Sequence, residues 1–197
     1  MHAYLLSKKA VFLSNRLSTL IYQQRSLNLA ARAFDWIDFS LEDDKAEFTQ
    51  IAAERIRLEK EITSLEGGVL TATESTQDHY MRGHIFASLG EIYFSRFLND
   101  KLDLSNGGRL QSRIMNVYFV RRWNLDRVAG YSRESRRKLK NSETQFVAFF
   151  KRAIDEFEAG NYKTDLAQAL LALAVKLTIT YRFSRARRNL NWAKRLA

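Results

Sequence analysis

Ser142-Glu143-Thr144-Gln145-Phe146-Val147-Ala148-Phe149-Phe150-Lys151-Arg152-Ala153-Ile154-Asp155-Glu156-Phe157 places its large apolar side chains at 146, 149, 150, 154 and 157. Steps of three and four residues bring these positions onto one face of a helix, and no period-two alternation competes. Ser142 through Gln145 has the spacing of a capping box, in which the serine hydroxyl and the residue three positions on satisfy each other's backbone N–H. A helix is therefore expected to open at Ser142 and to close at Gly160. The next stretch, Leu166–Tyr181, is apolar all round apart from Gln168 and Lys176, which predicts the central and most buried helix. It is too short for a comfortable membrane span of about 20 apolar residues.

The same periodicity extends outward. Leu13, Leu17, Leu20, Leu27, Ala31 and Phe34 form one seam, with Gln24 inside it. Leu41, Phe48, Ile51, Leu58, Ile62 and Leu65 form a second, with Arg55 inside it, and Ser40-x-x-Asp43 has a capping spacing ahead of it. The two seams predict an antiparallel hairpin over residues 1–65, with Gly67-Gly68 ending the second helix and residues 67–75 in a loop. A third helix is expected over 76–99 and a fourth over 109–129, separated by Ser105-Asn106-Gly107-Gly108 and followed by a charged, mobile loop at 131–141. There is no proline, and only eight glycines, so long helices with short connectors are favoured. The expectation is an all-α bundle of five to six helices in a single domain: the hairpin 1–65, a bundle core 76–183, and a basic C-terminal extension 184–197 that continues the last helix.

Catalysis finds little support. There is no cysteine, so thiolate chemistry and disulfides are excluded. His79 and His84 are five residues apart and do not share a helix face, as a metal pair four apart would. They read as solvated or capping histidines. The acids Asp35, Asp38, Glu42, Asp43, Asp44 and Glu47 read as a solvated turn at a helix N-terminus. No glycine-rich loop carries the lysine of a phosphate cradle. The chain is expected to be no enzyme and to need no cofactor or metal. Val11–Leu13 is broken by Ser14, Asn15 and Arg16 and lacks the cleavage site of a secretory leader, so a cytoplasmic protein is expected. The acid-free first 33 residues share their composition with a mitochondrial presequence, which is weak evidence alone.

Charge is the stronger signal. The net +10 is concentrated in two blocks. Residues 105–140 carry ten Lys/Arg against two acids, and residues 176–197 carry seven against none. Each Lys or Arg set on a phosphate releases a condensed counterion, so a polyanion is the natural partner. At 100° per residue Arg109, Arg113 and Arg127 share a flank, with Arg122 beside Trp123 and Arg121 on the apolar face. Arg133, Arg136, Arg137, Lys138 and Lys140 add a second patch. Arg182, Arg185, Arg187 and Arg188 form a third, with Phe183, Trp192, Lys194 and Arg195 interleaved. Aromatic rings among cations offer stacking surfaces beside phosphate contacts. The alternative is a helical module whose basic faces meet acidic protein or an anionic membrane.

Tyr80-Met81-Arg82-Gly83-His84-Ile85-Phe86-Ala87-Ser88-Leu89 resembles a Tyr-x-x-Gly-x-apolar-Phe-Ala-x-Leu pattern in the helical C-terminal region of large subunits of CRISPR Cascade-type effectors. The order Phe146–Phe157 then Leu166–Phe183 is similar to the helical bundle that closes the large subunit, which in several subtypes is also made separately as a small subunit. That resemblance implies a non-catalytic subunit of an RNA-guided interference complex. Its partners would be other subunits, including a second copy of itself, and DNA or guide-RNA backbone, among them the displaced strand of the R-loop. No membrane is implied. R-loop formation is nearly balanced in free energy, so added backbone contacts tip it.

Overall fold

Phe146, Phe150 and Phe157 lie fully buried. In this computed structural model, which describes residues 2–33, 42–106 and 133–196, the chain forms α1 (His2–Ala33), α2 (Glu42–Glu74), α3 (His79–Asn106), α4 (Arg133–Ala159), α5 (Lys163–Ile179) and α6 (Phe183–Leu196). No strand occurs among the described residues, so the fold is all-α. Gly83 of α3 faces the ring of Phe157, Gly90 faces Phe150, and Phe97 meets Phe146 edge-on at 5.9 Å. Positions rise on one helix as they fall on the other, so α3 and α4 are antiparallel. A Cβ at Gly83 would sit 2.5 Å from the Phe157 ring, and one at Gly90 would sit 2.6 Å from the Phe150 ring. The two glycines, seven apart, let the helices approach closely enough to seat both rings. Gly83 of the resemblance pattern thus has a packing role in this chain.

Helix α5 runs parallel to α3. His84 Nε2 lies 3.3 Å from Asp165 Oδ1, and Lys176 Nζ lies 2.7 Å from Glu91 Oε1. The buried Lys176 also sits over the rings of Phe94 and Phe150. Its charge is matched by an acid and two π faces, which lowers the cost of burying it. The turns α4–α5 and α5–α6 are built alike. Tyr162 N–H donates to Phe157 O (2.9 Å) and Asn161 N–H to Glu158 O (3.0 Å). Twenty residues on, Arg182 N–H donates to Leu177 O (2.8 Å) and Tyr181 N–H to Thr178 O (3.1 Å). Both are Schellman motifs. Their left-handed residues are Asn161 (φ 58°) and Tyr181 (φ 62°), not glycine. The chain from α3 to α6 therefore alternates in direction, each helix antiparallel to the one before it.

The N-terminal hairpin is antiparallel, with Lys9 paired to Glu61 and Arg16 to Glu54. Leu13, Leu17, Leu20, Ile51, Leu58 and Ile62 are buried as the seams require. Glu66 is buried on α2, and one of its oxygens accepts from Arg96 at 2.8 Å while Oε1 has no partner. Burial pushes the Glu66 carboxyl above its ordinary value, and the Arg96 guanidinium offsets only part of this. An acid whose pKa is raised by folding binds its proton more tightly in the native state. Its contribution to stability is thus full below the ordinary carboxyl value and is lost as pH rises through the raised one. Glu66→Gln keeps an acceptor for Arg96. Urea titrations of wild type and variant are expected to converge at low pH and to separate in the variant's favour as pH rises above about 4.5. A variant less stable than wild type at neutral pH would contradict this.

Several boundaries differ from the sequence expectation. Helix α2 does not stop at Gly67-Gly68 but continues to Glu74. Val69 and Thr73 are buried, and this burial outweighs the roughly 1 kcal/mol each glycine costs a helix. Helix α3 starts at His79 and extends to Asn106, past Asn99. Residues 133–141 are helical, not loop, and Ser142 lies inside α4, where its hydroxyl donates to Asp100 Oδ2 (2.6 Å). Buried Leu139 continues the apolar face one turn before the apparent cap. The last helix breaks at Thr180–Arg182, so 183–196 is a separate helix folded back on α5 rather than an extension. Helix α5 is not buried all round: Leu171, Val175 and Ile179 are exposed. The expected helix 109–129, the loop at 131–132, Ser40 and the acids at 35 and 38 lie outside the described residues.

Candidate nucleic-acid interface

Helices α4 and α6 run parallel, since the chain reverses direction at each end of α5. Their register is fixed where Arg182 Nε donates to Glu143 Oε1 at 2.9 Å. From there a groove of about 1170 Å³ opens between them. Val147 and Ile154 of α4, Leu173 and Leu177 of α5, and half-buried Trp192 of α6 form its floor. Its walls carry Lys151 from α4 and Arg185, Arg188, Lys194 and Arg195 from α6, against one acid, Asp155. All six are exposed. None of the five cations takes part in an ion pair among the described residues.

The local sequence explains this arrangement. Helix α6 buries only Ala186 and Ala193, seven apart, against α5. Small residues there let the helix lie close, and its remaining face is free for cations. At 1.5 Å per residue, Arg185, Arg188 and Arg195 are spaced about 4.5 and 10.5 Å along the helix axis. Nucleic-acid phosphates recur about every 3.4 Å per strand, so one wall offers a cation for every one to three phosphates. The shallow, polar-walled groove suits a backbone better than a small apolar ligand.

The fourteen residues singled out by sequence divide as follows. Arg109, Arg113, Arg121, Arg122 and Arg127 lie outside the described residues. Arg133 and Arg136 fall in the first turn of α4. Arg137, Lys138 and Lys140 are exposed a turn or two ahead of the groove on the same helix. Arg182 is engaged with Glu143 at the groove's entrance. Arg185 and Arg188 line the groove, and Arg187, exposed, does not. Sequence reasoning missed Lys151, because it sits in a strongly amphipathic helix and reads there as ordinary solvated charge. Lys194 and Arg195 were visible in the basic run but not placed.

Elsewhere the polar groups are structural. His79 Nδ1 and Arg82 both reach Glu156, at 2.7 and 2.6 Å. His84 is not solvated but half-buried, ringed by Tyr4, Tyr80 and Phe157 at 5.9, 4.4 and 5.1 Å. Burial holds its pKa below the ordinary histidine value, with Asp165 pulling the other way. Among the described residues no three His, Cys, Asp or Glu side chains gather as a metal site, and no helix is long and apolar enough to cross a membrane. No family model matches the chain, and no curated protein or solved structure is significantly similar to it.

Proposed function

We propose that this protein holds a nucleic-acid backbone, without reading its sequence, in the groove between α4 and α6, as a non-catalytic subunit of a larger ribonucleoprotein. One observation carries the reading: five cations and a tryptophan surround one groove that contains a single acid. Solubility alone is better served by interspersed signs than by such a cluster. Contacts from Lys and Arg to phosphate position a strand without reading its sequence, so phosphate contact is the expected mode. The exposed Arg137 and Lys140 extend the cationic track along α4 beyond the groove.

The finer proposal, a subunit of a CRISPR interference complex, draws on the resemblance of residues 80–89 and on the helical order of the C-terminal half. Guide RNA co-purifying with the chain from its native host would support it, and its absence from the purified complex would remove it. The coarser reading stands apart from this. Fluorescence anisotropy with labelled oligonucleotides of unrelated sequence tests it. Affinities within about threefold of one another, at one stated salt concentration, are expected. Discrimination of a hundredfold or more between sequences would contradict it.

A further inference from the structure

The turns at the two ends of α5 share one hydrogen-bonding pattern but are not equally relaxed. At the first, the left-handed position is held by Asn161, whose short polar side chain tolerates that conformation. At the second it is held by Tyr181, at φ 62°. A side chain of that kind favours competing backbone conformations by a factor of about 5 to 30 over glycine. Such strain persists only where the surroundings impose it, and it gathers at segments that move. Helix α6 is held by little. It buries only Ala186 and Ala193, whereas α4 buries Phe146, Phe149, Phe150, Ile154 and Phe157, and α5 buries Leu166, Leu170, Leu173 and Leu177. It carries five cations and no acid. Arg185, Arg188, Lys194 and Arg195 stand in the groove with Lys151 of α4, and Asp155 is the one acid among them. Like charges gathered around a water-filled groove repel, and salt or a polyanion relieves that repulsion. The Arg182–Glu143 pair at the turn is exposed on its arginine side, and such pairs contribute little.

We infer that α6 is a hinged flap, which swings about Tyr181 away from α4 and α5 and is closed by a polyanion entering the groove. Closed, the groove has cations on both walls. Open, the wall carrying Arg185, Arg188, Lys194 and Arg195 is withdrawn, and Lys151 is left alone on α4. A strand that bridges the walls meets its full set of cations only in the closed form, so its binding shifts the equilibrium toward that form. That the polyanion is a nucleic acid rests on the function proposed above, whereas the hinge does not. A helix of fourteen residues is marginal in water by itself, so each opening frays α6 and exposes its amides to exchange.

Amide hydrogen exchange of the full chain, read by mass spectrometry, tests this. Without nucleic acid, α6 amides should exchange about tenfold faster than those of α5 or more. They should slow about threefold between about 0.02 and 0.3 M salt, as the screening length falls from roughly 20 to about 6 Å. Tyr181→Gly should slow them about fivefold, the low end of the strain range, because the ring's contacts with Phe183 and Lys101 are lost with it. Tyr181→Asn should act in the same direction. Lys151→Gln, on the opposite wall, should slow α6 at low salt and leave it unchanged at high salt. An oligonucleotide should slow it wherever it binds. Wild-type α6 amides as slow as those of α5, exchange that quickens with salt, or no effect of either Tyr181 variant would each overturn the hinge. An oligonucleotide that binds without slowing α6 would overturn its closing. Should no oligonucleotide bind while the salt, Tyr181 and Lys151 effects all appear, the hinge is supported and the nucleic-acid reading alone falls.

Discussion

Replacing Lys151, Arg185 and Arg188 together by alanine is expected to weaken nucleic-acid binding about a hundredfold near 0.15 M salt, equally for all sequences. The magnitude follows from counterion release. Each phosphate engaged on a duplex contributes about 0.9 to the slope of log K against log salt, which is roughly fivefold in affinity per cation at that concentration. The three residues come from both walls of the groove, so the loss reports the groove and not one helix. All are exposed and unpaired among the described residues, so the fold should tolerate their loss. Lys60→Ala, an equally exposed cation on the distant α2, serves as the control and should change affinity less than twofold. Equal losses from the triple variant and the control would mean that binding follows net charge alone, and the groove would cease to be a site.

The second large effect concerns the α3–α4 interface. Phe150→Ala should cost about 3–5 kcal/mol, the usual range for deleting a buried ring. It opens space directly over Gly90 and removes one of the two ring faces beneath the Lys176 ammonium. Gly90→Ala alone gains about 1 kcal/mol of helix propensity but places a Cβ 2.6 Å from the ring, and such overpacking costs about 1–3 kcal/mol. Alone, it should be neutral to destabilising. In the Phe150→Ala background the clash is gone, and the same substitution should stabilise. A double-mutant cycle by chemical denaturation reads that change of sign. An unchanged effect of Gly90→Ala in the two backgrounds would mean that the close approach of α3 and α4 is not what the glycine is for.

The helical class and the core were legible wherever one face carries large apolar residues at helical spacing, as at Phe146, Phe150 and Phe157 or Leu13, Leu17 and Leu20. Boundaries were misread where a local signal met a tertiary one. Ser142 has the chemistry of a cap, yet its hydroxyl is used across to Asp100 while Leu139 carries the helix on. Gly67-Gly68 has the chemistry of a stop, yet Val69 and Thr73 are buried beyond it. The break at Tyr181 carries no turn residue at all. A tyrosine in the left-handed region costs roughly 1–2 kcal/mol, and here its ring meets Phe183 and Lys101. The site was half legible. Its charge was visible in the C-terminal run, but the partner wall at Lys151 appears only when α6 folds back beside α4. That arrangement depends on two turns twenty residues apart, and no spacing of charged residues announces it.

The salt dependence of binding is the most direct measurement. For wild-type protein on duplex DNA, log K should fall linearly with log salt, with a slope near −4.5 if the five groove cations each engage a phosphate, and more steeply if Arg137 and Lys140 join them. A slope indistinguishable from zero, or no binding at low salt, would contradict the account at its root.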